Sequence, residues 1–182
     1  AVIKDLYENE GYSTAAPKLN PRAVSFVADY MEKNSKNMLD LKGWALPYFS
    51  MMDGIMVQHG LPRELKYLAV IESELKSGAT SWAGAVGPWQ LMPGTAKTLG
   101  LKVNRKVDER RNYVKSTHAA ARYLKDLYGI YGDWLLVIAS YNAGPGSVQK
   151  AISRSGSRNF WELQYFLPAE TRSHVKKFIG TH

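Results

Sequence analysis

Glu72 is the residue whose type and place in this sequence could do chemistry. In LKYLAVIESEL (65–75), Leu65, Leu68, Ala69, Glu72 and Leu75 share one helical face, because neighbours on a face recur three or four residues apart. A carboxylic acid therefore stands where the pattern asks for a leucine. Val70 and Ile71 make the opposite face apolar as well, which places this helix inside a domain. Taking a carboxyl group out of water penalises its charged form and raises its pKa, as a general acid working near neutral pH requires. The same position would also suit a structural Glu neutralised by an Arg or Lys, since structural ion pairs perturb pKa values too. Position alone leaves both readings open.

Two further stretches carry polar groups on small-residue backbone. SGATSWAGAVGPWQ (77–90) is too rich in Gly and Ala for an ordinary amphipathic element and ends on Trp89 and Gln90. SYNAGPG (140–146) closes an apolar run with Tyr141 and Asn142. Small residues at such points let a ligand approach the backbone closely. Glu74 does not supply a second carboxyl group beside Glu72. Two residues along a helix is about 200° of rotation, which turns it away.

The elements that would position these groups are helices. Residues 1–19 lack a clear period and read as an N-terminal extension, after which Asn20-Pro21 reads as a helix start. Val24, Val27, Ala28 and Met31 give that helix an apolar face up to the polar KNSKN. A second helix is expected over Trp44 to His59, with Pro47 in its first turn and a Met stripe serving as core filler. Gly60 closes it, and Pro62 and Glu64 open the Glu72 helix, which is expected to end near Lys76. A short helix begins at Pro93 and stops at Gly100, and KVNRKVDERRN reads as a polar connection. Asp108 is expected to cap a helix through Tyr113 to Leu127, and Asp133 the next one, DWLLVIASYNAGPG. A basic helix (Ser147–Ser153), the aromatic FWELQYF and a last helix from Pro168 with Phe178 and Ile179 as contacts complete the chain. The fold class is all or mainly α, with eight or so short helices and no repeat.

Composition narrows the function. At 182 residues with 45% apolar and 22% charged residues, the chain reads as one soluble domain able to bury a sizeable core. No apolar run approaches the ~20 residues of a membrane span. No signal peptide is visible, and a chain starting at Ala1 reads as a trimmed or processed fragment. The absence of cysteine excludes disulfides, thiolate catalysis and Cys-based zinc sites. His59, His118, His174 and His182 lack metal-ligand spacing, so no metal is expected. The net charge of +8 favours an anionic partner. Its Lys and Arg residues are spread from Lys4 to Lys177, whereas a nucleic-acid module concentrates them on one stripe. We expect solubility and attraction to an acidic substrate, and no nucleic acid.

Taken together and in this order, LPRELKYLAVIES, AGAVGPWQLMPGTAKTLGL, GDWLLVIASYNAG and LPAETRSHV resemble the catalytic domain of the lytic murein transglycosylases, most of all the membrane-bound lytic murein transglycosylase D type. The likeness covers roughly residues 60–180. It implies a mainly α, lysozyme-like domain of the goose-type and soluble lytic transglycosylase kind, with the acid at the end of a central helix. By this resemblance residues 20–182 form the catalytic domain, with 20–60 as added N-terminal helices.

The resemblance also assigns roles. Glu72 matches the single catalytic acid and Ser73 its partner. Ser81, Gln90 and Met92 fall where the family lines its saccharide cleft. Tyr141 and Asn142 match the Tyr-Asn pair beside acid and sugar, and Glu170 matches a cleft carboxylate. Ser81, Gln90 and Asn142 could equally satisfy loop backbone groups, Met92 could be packing, and Glu170 could serve its helix dipole. The implied reaction is cleavage of the β-1,4 bond between N-acetylmuramic acid and N-acetylglucosamine, closing a 1,6-anhydro ring with no metal or cofactor. Ordinary glycosidases need two carboxyl groups, whereas here one Glu acts as acid and then as base. The implied partner is the peptidoglycan glycan strand and the implied location the bacterial cell envelope or outside the cell. We expect a monomer, with any membrane anchoring outside this chain. A hydrolytic muramidase or a non-catalytic wall-binding module are the alternatives. Two positions depart from the family pattern: His174 stands where a Tyr is common, and Pro88-Trp89 where smaller or different apolar residues are often found.

Overall fold

A computed structural model describes residues 21–181, with side chains described from Lys33 onward apart from those at 35, 37, 38 and 42. The expected extension 1–19, the Asn20 cap and the side chains of Val24, Val27, Ala28 and Met31 lie outside what is described. Eight α-helices occur among the described residues: α1 Pro21–Gln58, α2 Tyr67–Ser73, α3 Pro93–Thr98, α4 Tyr113–Tyr131, α5 Trp134–Ala143, α6 Pro145–Ser155, α7 Phe160–Leu163 and α8 Ala169–Thr181. Among the described residues three short 3-10 turns join them, and β-pairing consists of the isolated antiparallel bridges Thr80–Val86, Val86–Leu91 and Val103–Asp108. The chain is mainly α, as its periodicity predicts.

The first two expected helices are one. α1 runs for 38 residues through KNSKN and carries Pro47 inside it. Lys, Asn and Ser weaken a helix by only a few tenths of a kcal/mol each and do not stop one. Pro47 removes one backbone bond and crowds the carbonyl four residues earlier, a cost of about 3 kcal/mol or more in a helix interior. The residue there is Gly43, which has no side chain to add to the crowding. Trp44, expected on the apolar face, is 43% exposed and meets Tyr48 edge-on. Met52 and Met56 are fully buried, as core filler should be.

The described chain divides into two compact units, residues 35–126 and residues 127–181 with the first part of α1 through 34. In the first unit the core gathers Met52, Met56, Leu65, Leu68, Leu75, Trp89 and Leu124, all fully buried. Lys66 fastens the approach to α2, donating to Asp53 on α1 at 2.7 Å while lying over the rings of Phe49 and Tyr67. In the second unit α5 is wholly apolar from Leu135 to Ala139 and packs against α6 and α8, which is why its sequence shows no polar face. Asp133 caps α5 by accepting from the Leu136 amide at 3.1 Å, as expected. Asp108 instead caps the 3-10 turn Glu109–Arg111, and α4 takes its cap from Asn112, whose side chain accepts from the Lys115 amide at 2.9 Å. Asn112 stands immediately before the helix, where the geometry of capping needs it, and Asp108 stands four residues too early.

Candidate active site

In the first unit Glu72 occupies the last turn of α2, which stops at Ser73, short of the expected Lys76. Leu65, Leu68, Ala69 and Leu75 on its face are fully buried, while Glu72 itself is half-buried. The reason is the abrupt helix end. Glu74 (φ 52°) and Leu75 (φ 63°) are consecutive left-handed residues, each costing roughly 1–2 kcal/mol when not glycine. Burial of the Leu75 side chain returns about 1.5–3 kcal/mol. The Tyr113 hydroxyl, donating to the Leu75 carbonyl at 2.6 Å, adds about 1 kcal/mol more. The reversal thus holds, and it leaves Glu72 at a helix end instead of mid-helix. Glu74 swings into solvent, where it makes only an exposed ion pair with Lys76 at 3.6 Å.

Against this helix end lies the Gly-rich loop. The Ser73 hydroxyl donates to the Pro88 carbonyl at 2.7 Å and lies 3.1 Å from the Ala69 carbonyl, so buried Ser73 ties α2 to the loop. Gln90, a third left-handed non-glycine residue (φ 50°), donates from its side-chain amide to the Ala79 and Gly87 carbonyls at 3.1 and 2.9 Å. Ser81 accepts from the Ala85 amide at 2.9 Å and forms the mouth of a tight turn. Met92 precedes α3 and is 43% exposed. Trp89 fills the core and donates from its indole nitrogen to Thr117 at 3.0 Å.

Sequence reasoning missed what supports this loop. Arg110, in the stretch read as a polar connection, is buried and donates to the Gly84 and Leu91 carbonyls, both at 2.9 Å. Its remaining donors grip both oxygens of Asp108 at 2.9 and 2.8 Å, and this guanidinium holds the Asp108 carboxyl below its usual range. Arg111 reaches Ser77 and Thr80 on the same loop. The signal was present: a Gly/Ala-rich loop buries carbonyls that need donors from elsewhere, and arginine offers five in a fixed fork.

In the second unit Tyr141 and Asn142 are half-buried in the last turn of α5, before Gly144 (φ 88°) ends it. The buried Thr171 hydroxyl of α8 donates to the Asn142 side-chain oxygen at 2.8 Å, which orients the amide. Thr171, beside the predicted Glu170, is thus a partner of Asn142 that the sequence did not single out. Glu170 is exposed in the first turn of α8. Thr171→Val is expected to keep the fold within about 1 kcal/mol and to lower glycan turnover about tenfold by freeing the amide to rotate. Urea midpoints beside steady-state rates check both parts.

His174, where the family pattern has a Tyr, is buried on α8, and burial, with a smaller contribution from Lys177, lowers its pKa to about 4. Its ring is therefore neutral at physiological pH. Below pH 6.5 the unfolded chain takes up a proton that the folded chain refuses until about pH 4. Stability is then complete above 6.5 and falls as pH drops through this window. At pH 4.5 the loss amounts to about 2–3 kcal/mol. In His174→Phe this part of the slope should vanish, as urea unfolding of both proteins at pH 7.5 and 4.5 would report.

The helical architecture is that of the lysozyme-like lytic transglycosylase domains. It matches the lytic transglycosylase Slt of Pseudomonas aeruginosa, solved as an inactive mutant, with a TM-score of 0.62 and 24% identity over 72% of this chain and 22% of that one. It also matches the 70 kDa soluble lytic transglycosylase of Escherichia coli, with a TM-score of 0.63 and 24% identity over 72% of this chain and 23% of that one. Residues 56–164 match the Transglycosylase SLT domain, and the chain belongs to that family. It is 40% identical over 153 residues to the membrane-bound lytic murein transglycosylase D of Escherichia coli K12, across 81% of this chain and 33% of that protein. The chain thus spans about a third of the length of this curated relative.

Proposed function

We propose that this chain is the catalytic part of a peptidoglycan lytic transglycosylase, extending over residues 20–182. The observation that carries the reading is Glu72 on the last turn of α2, half-buried, with a braced polar loop bonded to the same helix end. Family membership supports it. Glu72 protonates the oxygen that links N-acetylmuramic acid to N-acetylglucosamine, assisted by the acetamido group of the substrate. It then accepts the proton of the 6-hydroxyl as the 1,6-anhydro ring closes. Ser73 positions the acid, Ser81, Gln90 and Met92 line the glycan path, and Tyr141 and Asn142 contribute a hydroxyl and an amide. Glu170 is a further carboxylate contact to the glycan. One group serves both steps, giving a proton in the first and taking one in the second.

The partner is the glycan strand, the site of action the bacterial cell envelope, and the chain acts as a monomer. Among the described residues no helix is long and apolar enough to cross a membrane. Digestion of purified sacculi followed by mass analysis tests the reaction. Anhydro-muropeptides, 18 Da lighter than hydrolysis products by the mass of one water, are expected. Products with free reducing ends would reassign the protein as a hydrolytic muramidase.

A further inference from the structure

Trp82 is fully exposed, at 101% of its reference surface. A single exposed apolar residue is ordinary on a protein surface, and what sets this one apart is the rigidity of its mount. The Ser81 amide donates to the Ala85 carbonyl at 2.8 Å, the Ala85 amide returns to the Ser81 hydroxyl at 2.9 Å, and the Gly84 amide donates to the Ser81 carbonyl at 3.1 Å. Gly84 takes a left-handed conformation (φ 96°), and Arg110 holds its carbonyl from beneath. The turn is therefore fixed before any ligand arrives, and it carries an indole on its tip with nothing covering it.

The neighbours indicate the occupant. Thr80, Ser81, Ala83, Gly84 and Ala85 are all small, so they leave both faces of the ring open to a flat ligand. Over residues 77–92 Met92 is the other exposed large apolar side chain among those described. A protein or lipid partner would call for a contiguous apolar patch around the ring. A pyranose ring needs only one flat π surface for its C–H face, since the negative aromatic face attracts the slightly positive hydrogens. The same loop carries Ser81 and Gln90, bonded through Ser73 to the helix end that holds Glu72.

We propose that Trp82 is a sugar-stacking subsite that holds a ring of the glycan strand away from the bond being cut. This rests on the lytic transglycosylase reading above. It acts by adding affinity for long chains and leaves the chemical step alone. A preordered turn makes the contact without an ordering cost, which is how one aromatic ring can matter to a weakly held polymer.

The test uses chitohexaose and chitotriose, titrated calorimetrically into the Glu72→Gln protein with and without Trp82→Ala, and sacculi turned over by the Glu72-intact proteins. Trp82→Ala should weaken chitohexaose binding about tenfold, change chitotriose binding less than about twofold, and raise KM on sacculi with kcat unchanged. Trp82→Tyr should restore most of the affinity, and thermal melts of both variants should match the parent. Unchanged hexaose binding and KM in Trp82→Ala, with Glu72→Gln still inactive, would overturn the subsite and leave the enzymatic reading standing. Absence of glycan binding and turnover in the parent would overturn both. Loss of self-association or of lipid-vesicle binding in Trp82→Ala, without loss of hexaose affinity, would assign the ring to a second copy or a membrane and overturn the proposal.

Discussion

Glu72→Gln is expected to lower sacculus turnover by about three orders of magnitude or more while leaving the fold intact. A positioned general acid contributes roughly 10²–10⁴ in rate, and in the proposed reaction the same group serves protonation and ring closure, so its removal affects both. Gln matches Glu in size and keeps a hydrogen-bonding end, but it cannot supply the proton. The alternatives beside it are weak: Glu74 is exposed and lies one residue past the end of α2, and Ser73 already spends its hydroxyl on the backbone. Thermal melts of the two proteins should agree within a few degrees, because a half-buried Glu exchanged for its amide alters little packing. Measured on sacculi with muropeptide analysis, the expected result is parent-like glycan binding with anhydro products absent. A Gln variant as active as the parent would move the chemistry to another residue or reduce the chain to a wall-binding module.

Much of this arrangement is legible in the sequence because it rests on local signals. A carboxylate in a leucine position, glycines at helix ends and caps such as Asp133 are each decided within a few residues. The helical class follows from the spacing of Leu65, Leu68, Ala69 and Leu75 in the same way. What eluded the sequence depends on partners far along the chain. The left-handed pair Glu74-Leu75 is held by Tyr113, thirty-eight residues away, and Gly84 by Arg110, twenty-six away. The composition of the loop signals that its carbonyls need donors, but no local pattern marks which distant side chain supplies them. Propensity misled at α1, where KNSKN and Pro47 suggested a break. Each interrupts a helix by a bounded amount, and packing of Met52, Ile55 and Met56 farther along outweighs it. His174 shows a third kind of limit. Its departure from the family pattern was visible, whereas its burial and neutrality emerge only once α8 is in place.

The bracing of the loop leads to the largest expected effect on stability, at Gly87. This residue has φ 84°, a region costly for any side chain, and a Cβ placed on it would lie 2.0 Å from the Arg110 carbonyl oxygen and 2.7 Å from the carbonyl carbon. Both are backbone atoms, so no side-chain rotation relieves the overlap. The Gly87 amide donates to Ala79 at 2.9 Å and its carbonyl receives the Gln90 side chain, so movement at Gly87 disturbs both strands of the loop. Movement of Arg110 releases Gly84 and Leu91 and exposes the Asp108 pair. We expect Gly87→Ala to cost about 3–5 kcal/mol, the range of backbone strain combined with a lost buried network, and to lower Tm by roughly 10 °C. Gly84→Ala is the control, because Gly84 also has positive φ (96°) but an added Cβ would meet nothing within 4 Å. It should cost only the conformational part, about 1–2 kcal/mol. Calorimetric melts of the two variants separate strain from collision. Equal losses would mean that Arg110 yields to the added methyl group and that the loop is not anchored where its carbonyls and the guanidinium meet.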